Sequence, residues 1–159
     1  MGQYEKAIKD YTQTLKLRPN LIQAYNYRGI VRFKMNDYNG ALSDYTKAIN
    51  LGKNLEMPAS QAKELGLNSS SLFFNRASVL QKQGKHEDAI IDYDNSIEID
   101  PSNKMAFYNR AVSHLALKNK KSAIEDLIIA HSLGYDKANE LIKKIDSLKI
   151  DSLKIDTIN

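Results

Sequence analysis

Cysteine and tryptophan are absent from this 159-residue chain, and it has only three prolines. Without cysteine there is no disulfide framework, no thiolate nucleophile and no cysteine-held zinc or iron-sulfur site, so stability has to come from a packed core. No apolar run approaches the roughly 18 residues that span a bilayer, and no charged start leads into a signal-like apolar stretch. The chain is therefore expected to have no membrane partner and, by default, to be cytoplasmic. Met1 to Lys6 begin like a myristoylation site but carry Lys6 where Ser or Thr is required. Asn68-Ser69-Ser70 matches a glycosylation sequon, which has little weight without other signs of secretion. His86, His114 and His131 form no metal-ligand spacing, and no phosphate loop or nucleophile motif occurs. The expectation is a chain without catalysis, cofactor, metal or small-molecule substrate.

What is present is one globular quota of apolar residues, 42% hydrophobic against 26% charged, enough for a single core of ordinary size. Those residues recur. "YEKAIKDY", "YNGALSDY", "HEDAIIDY" and "KKSAIEDL" align Ala7, Ala41, Ala89 and Ala123 at spacings of 34, 48 and 34. A period of 34 with one interruption of 14 is the mark of a repeat protein. A second block, "AYNYRG", "LFFNRA" and "AFYNRA", precedes the last three of these and is missing before the first.

Both blocks have helical spacing. Phe107, Ala111 and His114 fall at i, i+4 and i+7, as do Ala41, Tyr45 and Ala48. Each unit is thus predicted to be a pair of short amphipathic helices. Small residues in the first helix (Gly29, Ala77, Ala111) and the second (Ala41, Ala89, Ala123) let the backbones approach, while Tyr25, Phe73, Phe107, Tyr11, Tyr45 and Tyr93 fill the space around the contact. "KMND", "KQGK" and "LKNK" supply the turns, and Pro19 and Pro101 stop second helices. Arg28, Arg76 and Arg110 share one register position, and Asp10, Asp44, Asp92 and Asp126 share another. Structural pairing is the economical reading, with each Arg bridging to the preceding repeat: Asp10 with Arg28, Asp44 with Arg76, Asp92 with Arg110. Arginines that hold an acidic ligand are the rival.

These blocks resemble the tetratricopeptide repeat family, in which aromatic and small residues alternate through two helices and a proline closes the unit. Repeat two supplies Tyr25, Gly29, Tyr38, Ala41, Tyr45 and Ala48, repeat three Phe73, Ala77, Ala89, Tyr93, Ser96 and Pro101, and repeat four, the weakest match, Phe107, Ala111, Ala123, Leu127 and Ala130. The resemblance implies an all-α fold of tandem helix-turn-helix repeats forming a right-handed superhelical solenoid with a C-terminal capping helix. The expected organisation is a repeat array over 1–137 (partial repeat 1–21, repeat 22–55, insertion 56–69, repeats 70–103 and 104–137), a capping helix over 138–147 and a low-complexity tail over 148–159. Within the insertion, "PASQAKEL" before Gly66 predicts a short helix near 58–65. The pentapeptide tail spaces its apolar residues alternately by 2 and 3, and is expected to be frayed or adaptable, with a continued helix as the rival. Met1 falls mid-repeat, so the first repeat is expected to be incomplete or the chain a fragment. The helix at about 3–17 should then expose Ala7 or Tyr11 and invite self-association.

The family's binding groove is lined by first helices, which makes Asn26, Tyr27, Lys34, Phe74, Asn75, Gln81, Lys82, Tyr108 and Asn109 the implied peptide-binding residues. Asn75 and Asn109 resemble the asparagines with which some members hold the backbone of an extended peptide, one amide acting as donor and acceptor; the alternative is an asparagine tolerated at a solvated position. Of the chaperone-tail clamp only Asn75 matches, so chaperone-tail binding is not expected. The implied partner is a protein or peptide segment with some apolar anchors. Nucleic acid is the alternative from another class, prompted by the net charge of +4 and by "KNKK" at Lys118 to Lys121. Against it, repeats two, three and four carry +3, −3 and +3, so no continuous phosphate track forms.

Overall fold

A computed structural model describes residues 2–53 and 69–156. The short helix predicted near 58–65 lies outside the described residues. Eight helices and no strands occur among the described residues: α1 (Gly2–Leu17), α2 (Ile22–Lys34), α3 (Tyr38–Lys53), α4 (Ser69–Lys82), α5 (His86–Ile99), α6 (Lys104–Ala116), α7 (Lys120–Ser132) and α8 (Asp136–Asp156). The described helices fall into two compact units divided after Asp100.

In the first unit α1 packs on α2, α2 pairs with α3, α3 meets α4, and α4 pairs with α5. Pro19 follows the end of α1 and Pro101 the end of α5, each unable to continue a helix. The core is built as the register demands: Ala41, Ala48, Ala77, Ala89 and Tyr93 are fully buried, and Tyr45 almost so. Backbone approach is closest at Gly29, where a Cβ would stand 2.7 Å from Cε1 of Tyr45. That ring occupies the space a side chain would need. Burial raises the pKa of the Tyr45 hydroxyl above its ordinary value, and the neighbouring Asp44 carboxylate raises it further. Ile22, Ile49, Leu72, Phe73 and Val79 complete the cluster.

In the second unit α6 pairs with α7 and α8 packs on α7. Ala106, Ala111, Ala123, Leu127 and Ala130 are buried between them, and α8 buries Ala138 and Ile145. Asn103 caps α6, its side chain accepting from the Ala106 amide at 3.2 Å. As backbone, α8 continues through the pentapeptide repeat to Asp156, the helical rival to the frayed tail. No glycine or proline follows Gly134, so nothing local ends the helix, whereas the apolar spacing of the segment builds no stripe.

The three first-to-second-helix turns share a device. Asn36, Gly84 and Lys118 stand at one register position, with φ of 62°, 76° and 60°. This left-handed residue reverses the chain between helices; glycine and asparagine adopt it readily, lysine less so.

The arginine pairing differs from the expectation. Each arginine is held within its own repeat: Arg28 by Asp44 (2.9 and 2.6 Å), Arg76 by Asp92 (2.7 and 2.8 Å) and Arg110 by Asp126 (2.9 and 2.6 Å). The two helices of a hairpin are pressed together by their small residues, so the planar fork of the arginine reaches its own second helix with both arms. The preceding repeat receives a weaker contact, Arg28 donating to Thr12 at 3.0 Å and Arg76 to Thr46 at 3.3 Å. Each guanidinium also lies over the ring three residues earlier, 5.6 Å from Tyr25, 5.8 Å from Phe73 and 5.4 Å from Phe107. With donors and face engaged, these arginines serve packing and do not form an acidic-ligand site.

Candidate functional site

First helices α2 and α4 approach one another within the first unit, and on that seam two amides meet. Asn75 Nδ2 donates to Asn26 Oδ1 at 3.2 Å, both side chains half-buried. The contact joins α2 to α4 across the insertion. It uses one hydrogen of Asn75, so the second N–H and the carbonyl of Asn75, with the amide of Asn26, remain for a further donor-acceptor pair. Helix packing fixes the backbone of both, which keeps the amides oriented.

Around this pair the other predicted residues divide. Tyr27 is 51% exposed and stacks on Tyr11 of α1, with ring centroids 6.1 Å apart. Phe74 is half-buried and tilted against Tyr93, at 5.9 Å. The Tyr93 hydroxyl also donates to Gln81 Oε1 at 3.4 Å, which ties Phe74 and Gln81 to one second-helix ring. Lys34 and Lys82 are exposed in the last turns of α2 and α4, where a cation complements the negative end of each helix. In the second unit Tyr108 meets Tyr135 edge-on at 4.9 Å. Its pKa is raised by burial first, then by Tyr135 and Glu140. Asn109, its neighbour on α6, is half-buried. Asn26 and Asn75 are thus brought into direct contact, and Phe74 and Gln81 share Tyr93, whereas no described contact joins Tyr27, Lys34 or Lys82 to the asparagine pair.

Two features escaped sequence reasoning. A cavity of 320 Å³ opens among α3, α4 and α5 of the first unit, lined by Leu42, Thr46, Arg76, Leu80 and Ile91 with the carboxylates of Asp88 and Asp92. Its signal was the doublet Ile90-Ile91, of which one register position is turned outward and leaves Ile91 60% exposed. The other is an amide link between adjacent hairpins, Gln83 Nε2 donating to Asn39 Oδ1 at 3.1 Å. No group of acidic, histidine or cysteine side chains suited to a metal occurs among the described residues, and no described helix is long and apolar enough to cross a membrane.

Comparison with known proteins bears on the same repeats. A "TPR repeat" family model matches residues 1–36 and a "Tetratricopeptide repeat" model residues 70–103. Mouse sperm-associated antigen 1 is 28% identical over 137 residues, covering 79% of the chain and 14% of that protein. The chain spans less than a third of the length of the curated relatives it matches. Among solved structures, MamA superposes with a TM-score of 0.77 at 18% identity, over 96% of this chain and 84% of its own. The first TPR of Spaghetti (RPAP3) bound to an HSP90 peptide gives 0.66 at 22% identity, over 80% and 93%. Two family matches, falling on paired helices closed by small residues, lead to one conclusion: the chain carries tetratricopeptide repeats.

Proposed function

We propose that the module is a non-catalytic interaction scaffold that binds an extended segment of a partner protein along its first helices. The observation that carries this reading is the Asn75–Asn26 contact, a pre-oriented amide pair on first helices with a donor and an acceptor to spare. A peptide backbone offers the complementary groups at every residue, so such a pair holds a chain without reading its side chains. Tyr27 and Phe74 supply apolar contact, Lys34 and Lys82 favour an acidic or C-terminal flank, and Gln81 extends this surface of the first unit; in the second unit, taken by itself, Tyr108 and Asn109 are groups of the same kind. A neighbouring structure that holds an HSP90 peptide supports a peptide ligand in general. The chaperone-tail clamp is matched here by Asn75 alone, so this chain's ligand is of another sequence class. Interaction in the cytoplasm and the absence of catalysis belong to the same proposal.

The test is affinity capture with the intact module and with an Asn75→Ala, Asn109→Ala double variant. Loss of the captured partner at unchanged thermal stability is the expected result. Undiminished capture places the binding surface elsewhere.

A further inference from the structure

The buried second-helix aspartate has different company in each repeat. In repeat two Asp44 is held by two arginines: Arg28 with both arms, and Arg32, whose Nη1 donates to Asp44 Oδ2 at 2.8 Å and to the Gly40 carbonyl at 3.1 Å. In repeat four Arg110 holds Asp126 and His114 stands second, its Nε2 4.0 Å from Asp126 Oδ2. Repeat three puts Leu80 at the register of Arg32 and His114. Among the described residues Asp92 is therefore held by Arg76 alone, and no described donor takes the place at its Oδ2 that Arg32 fills on Asp44.

The cavity among α3, α4 and α5 opens at this place. Leu80, Asp88 and Asp92 line it, standing at the registers of Arg32, Gly40 and Asp44. In repeat two those registers are joined by a guanidinium; in repeat three they border open space. Arg76 is not free to turn into it: Nε and Nη2 donate to Asp92, Nη1 donates to Thr46 at 3.3 Å, and the guanidinium lies 5.8 Å from the Phe73 ring centre. Two carboxylates against one guanidinium leave the lining with an excess negative charge, and Asp88 is exposed with no described partner. Leu42, Leu80 and Ile91 add an aliphatic wall, on which Ile91 is 60% exposed. Repeat two, which carries its own arginine, has Ser43 at the register of Ile91.

We infer that this cavity is a docking site for an arginine side chain of a partner protein, separate from the paired asparagines, neither of which lines it. The methylene stem lies on Leu42, Leu80 and Ile91, and the guanidinium faces Asp88 and the open side of Asp92. Charge complementarity selects the occupant. An anion would meet two carboxylates, and an uncharged side chain would cover them without the cation that Arg32 supplies to Asp44. Arginine joins an apolar stem to a planar fork that can serve two carboxylates at once, whereas lysine brings a compact, strongly hydrated point charge.

N-Acetylarginine N-methylamide serves as the probe, titrated into the full isotope-labelled chain and followed by amide shifts in two-dimensional NMR. Saturable shifts centred on Leu80, Asp88 and Ile91 are expected, with the lysine analogue weaker and the uncharged norleucine analogue weaker by about ten-fold or more, as for loss of a charge-assisted hydrogen bond. Asp88→Asn, a change at an exposed position, should weaken the arginine probe about two- to five-fold. Leu80→Arg supplies the guanidinium from within, as Arg32 does, and should abolish the titration in a chain whose thermal melt shows it folded. Asn75→Ala should leave the titration unchanged, which separates this site from the first-helix groove. A lysine or norleucine analogue that binds as tightly as arginine, equal binding to the Asp88→Asn protein, or no saturable binding overturns the proposal. So does a dimer in sedimentation that Arg18→Ala abolishes and the probe competes away, because Arg18 lies outside the described ion pairs and the occupant is then a second copy.

Discussion

Helix α1 and helix α5 are written in nearly the same residues and live in different environments. "YEKAIKDY" and "HEDAIIDY" place Ala, Asp and Tyr identically, yet Ala89, Asp92 and Tyr93 are buried while Asp10 is exposed and Ala7 and Tyr11 are half-covered. What separates them is the first helix. α4 lies against α5 with Ala77 at the contact and Arg76 in place, whereas among the described residues α1 meets the following repeat, through Tyr27 and Arg28. In this chain a second helix buries its apolar face and its aspartate where a first helix lies over both. The hairpin, and not the single helix, is the unit in which the burial becomes favourable.

The largest effect that sharpens this contrast is electrostatic. Arg76→Ala leaves Asp92 buried without its bidentate partner and should destabilise the chain by about 3 kcal/mol, the low end for breaking a buried pair because the arginine is partly solvated. Asp10→Ala removes the same residue type from the same register of α1 and should change stability by less than about 0.5 kcal/mol. Urea midpoints, read with the slope m unchanged, compare the two. Equal losses would mean that Asp10 has a partner in solution and would erase the distinction between α1 and α5.

Much of this was legible in the chain. The alanines at intervals of 34 and 48, the turn segments "KMND", "KQGK" and "LKNK" and the prolines after two of the second helices placed the hairpins, because each is a local steric requirement. The arginine partners were misread although the sequence held the clue. Own-repeat pairs are uniformly 16 residues apart, while the preceding-repeat pairs would be 18, 32 and 18, and only a constant spacing survives an insertion. At the candidate site, Asn75 was legible from its register but its contact with Asn26, 49 residues away, was not. That contact depends on how two first helices abut across the insertion, which no periodicity within one repeat encodes.

A smaller effect tests how tightly a hairpin closes. Gly29→Ala in α2 puts a Cβ 2.7 Å from the Tyr45 ring, which is buried on all sides and has little room to withdraw. Overpacking of this kind costs about 1–3 kcal/mol, and the helix preference of alanine over glycine returns about 1 kcal/mol. The net expectation is a loss near ~1 kcal/mol. Repeat four has Ala111 facing Leu127 at these positions, so in a Tyr45→Leu background the same Gly29→Ala change should become stabilising. Thermal melts of the four variants of this cycle give the coupling directly, and a coupling of zero would show that the ring does not set the helix separation.

The smallest effect concerns the turn, which complete hairpins possess and α1 does not use. Lys118 holds φ at 60° where Gly84 serves in repeat three and Asn36 in repeat two. A lysine Cβ crowds the following carbonyl in this conformation at a cost of about 1–2 kcal/mol, whereas glycine bears none of it but gives up more chain entropy on folding, which offsets about 0.5–1 kcal/mol. Lys118→Gly should accordingly raise stability by roughly 0.5–1 kcal/mol, or ~1–4 °C in the melting temperature of a chain of this size. The matched change Gly84→Ala should lower it by a similar amount, because alanine meets no neighbouring atom there and suffers only the backbone penalty. Opposite shifts of comparable size would assign the cost to the left-handed residue itself. Shifts of the same sign would assign it to the side chain at 118, whose removal also thins the basic "KNKK" cluster and so relieves repulsion among Lys118, Lys120 and Lys121. Repeating the melts in high salt separates the two, since screening removes the repulsion and leaves the dihedral cost untouched.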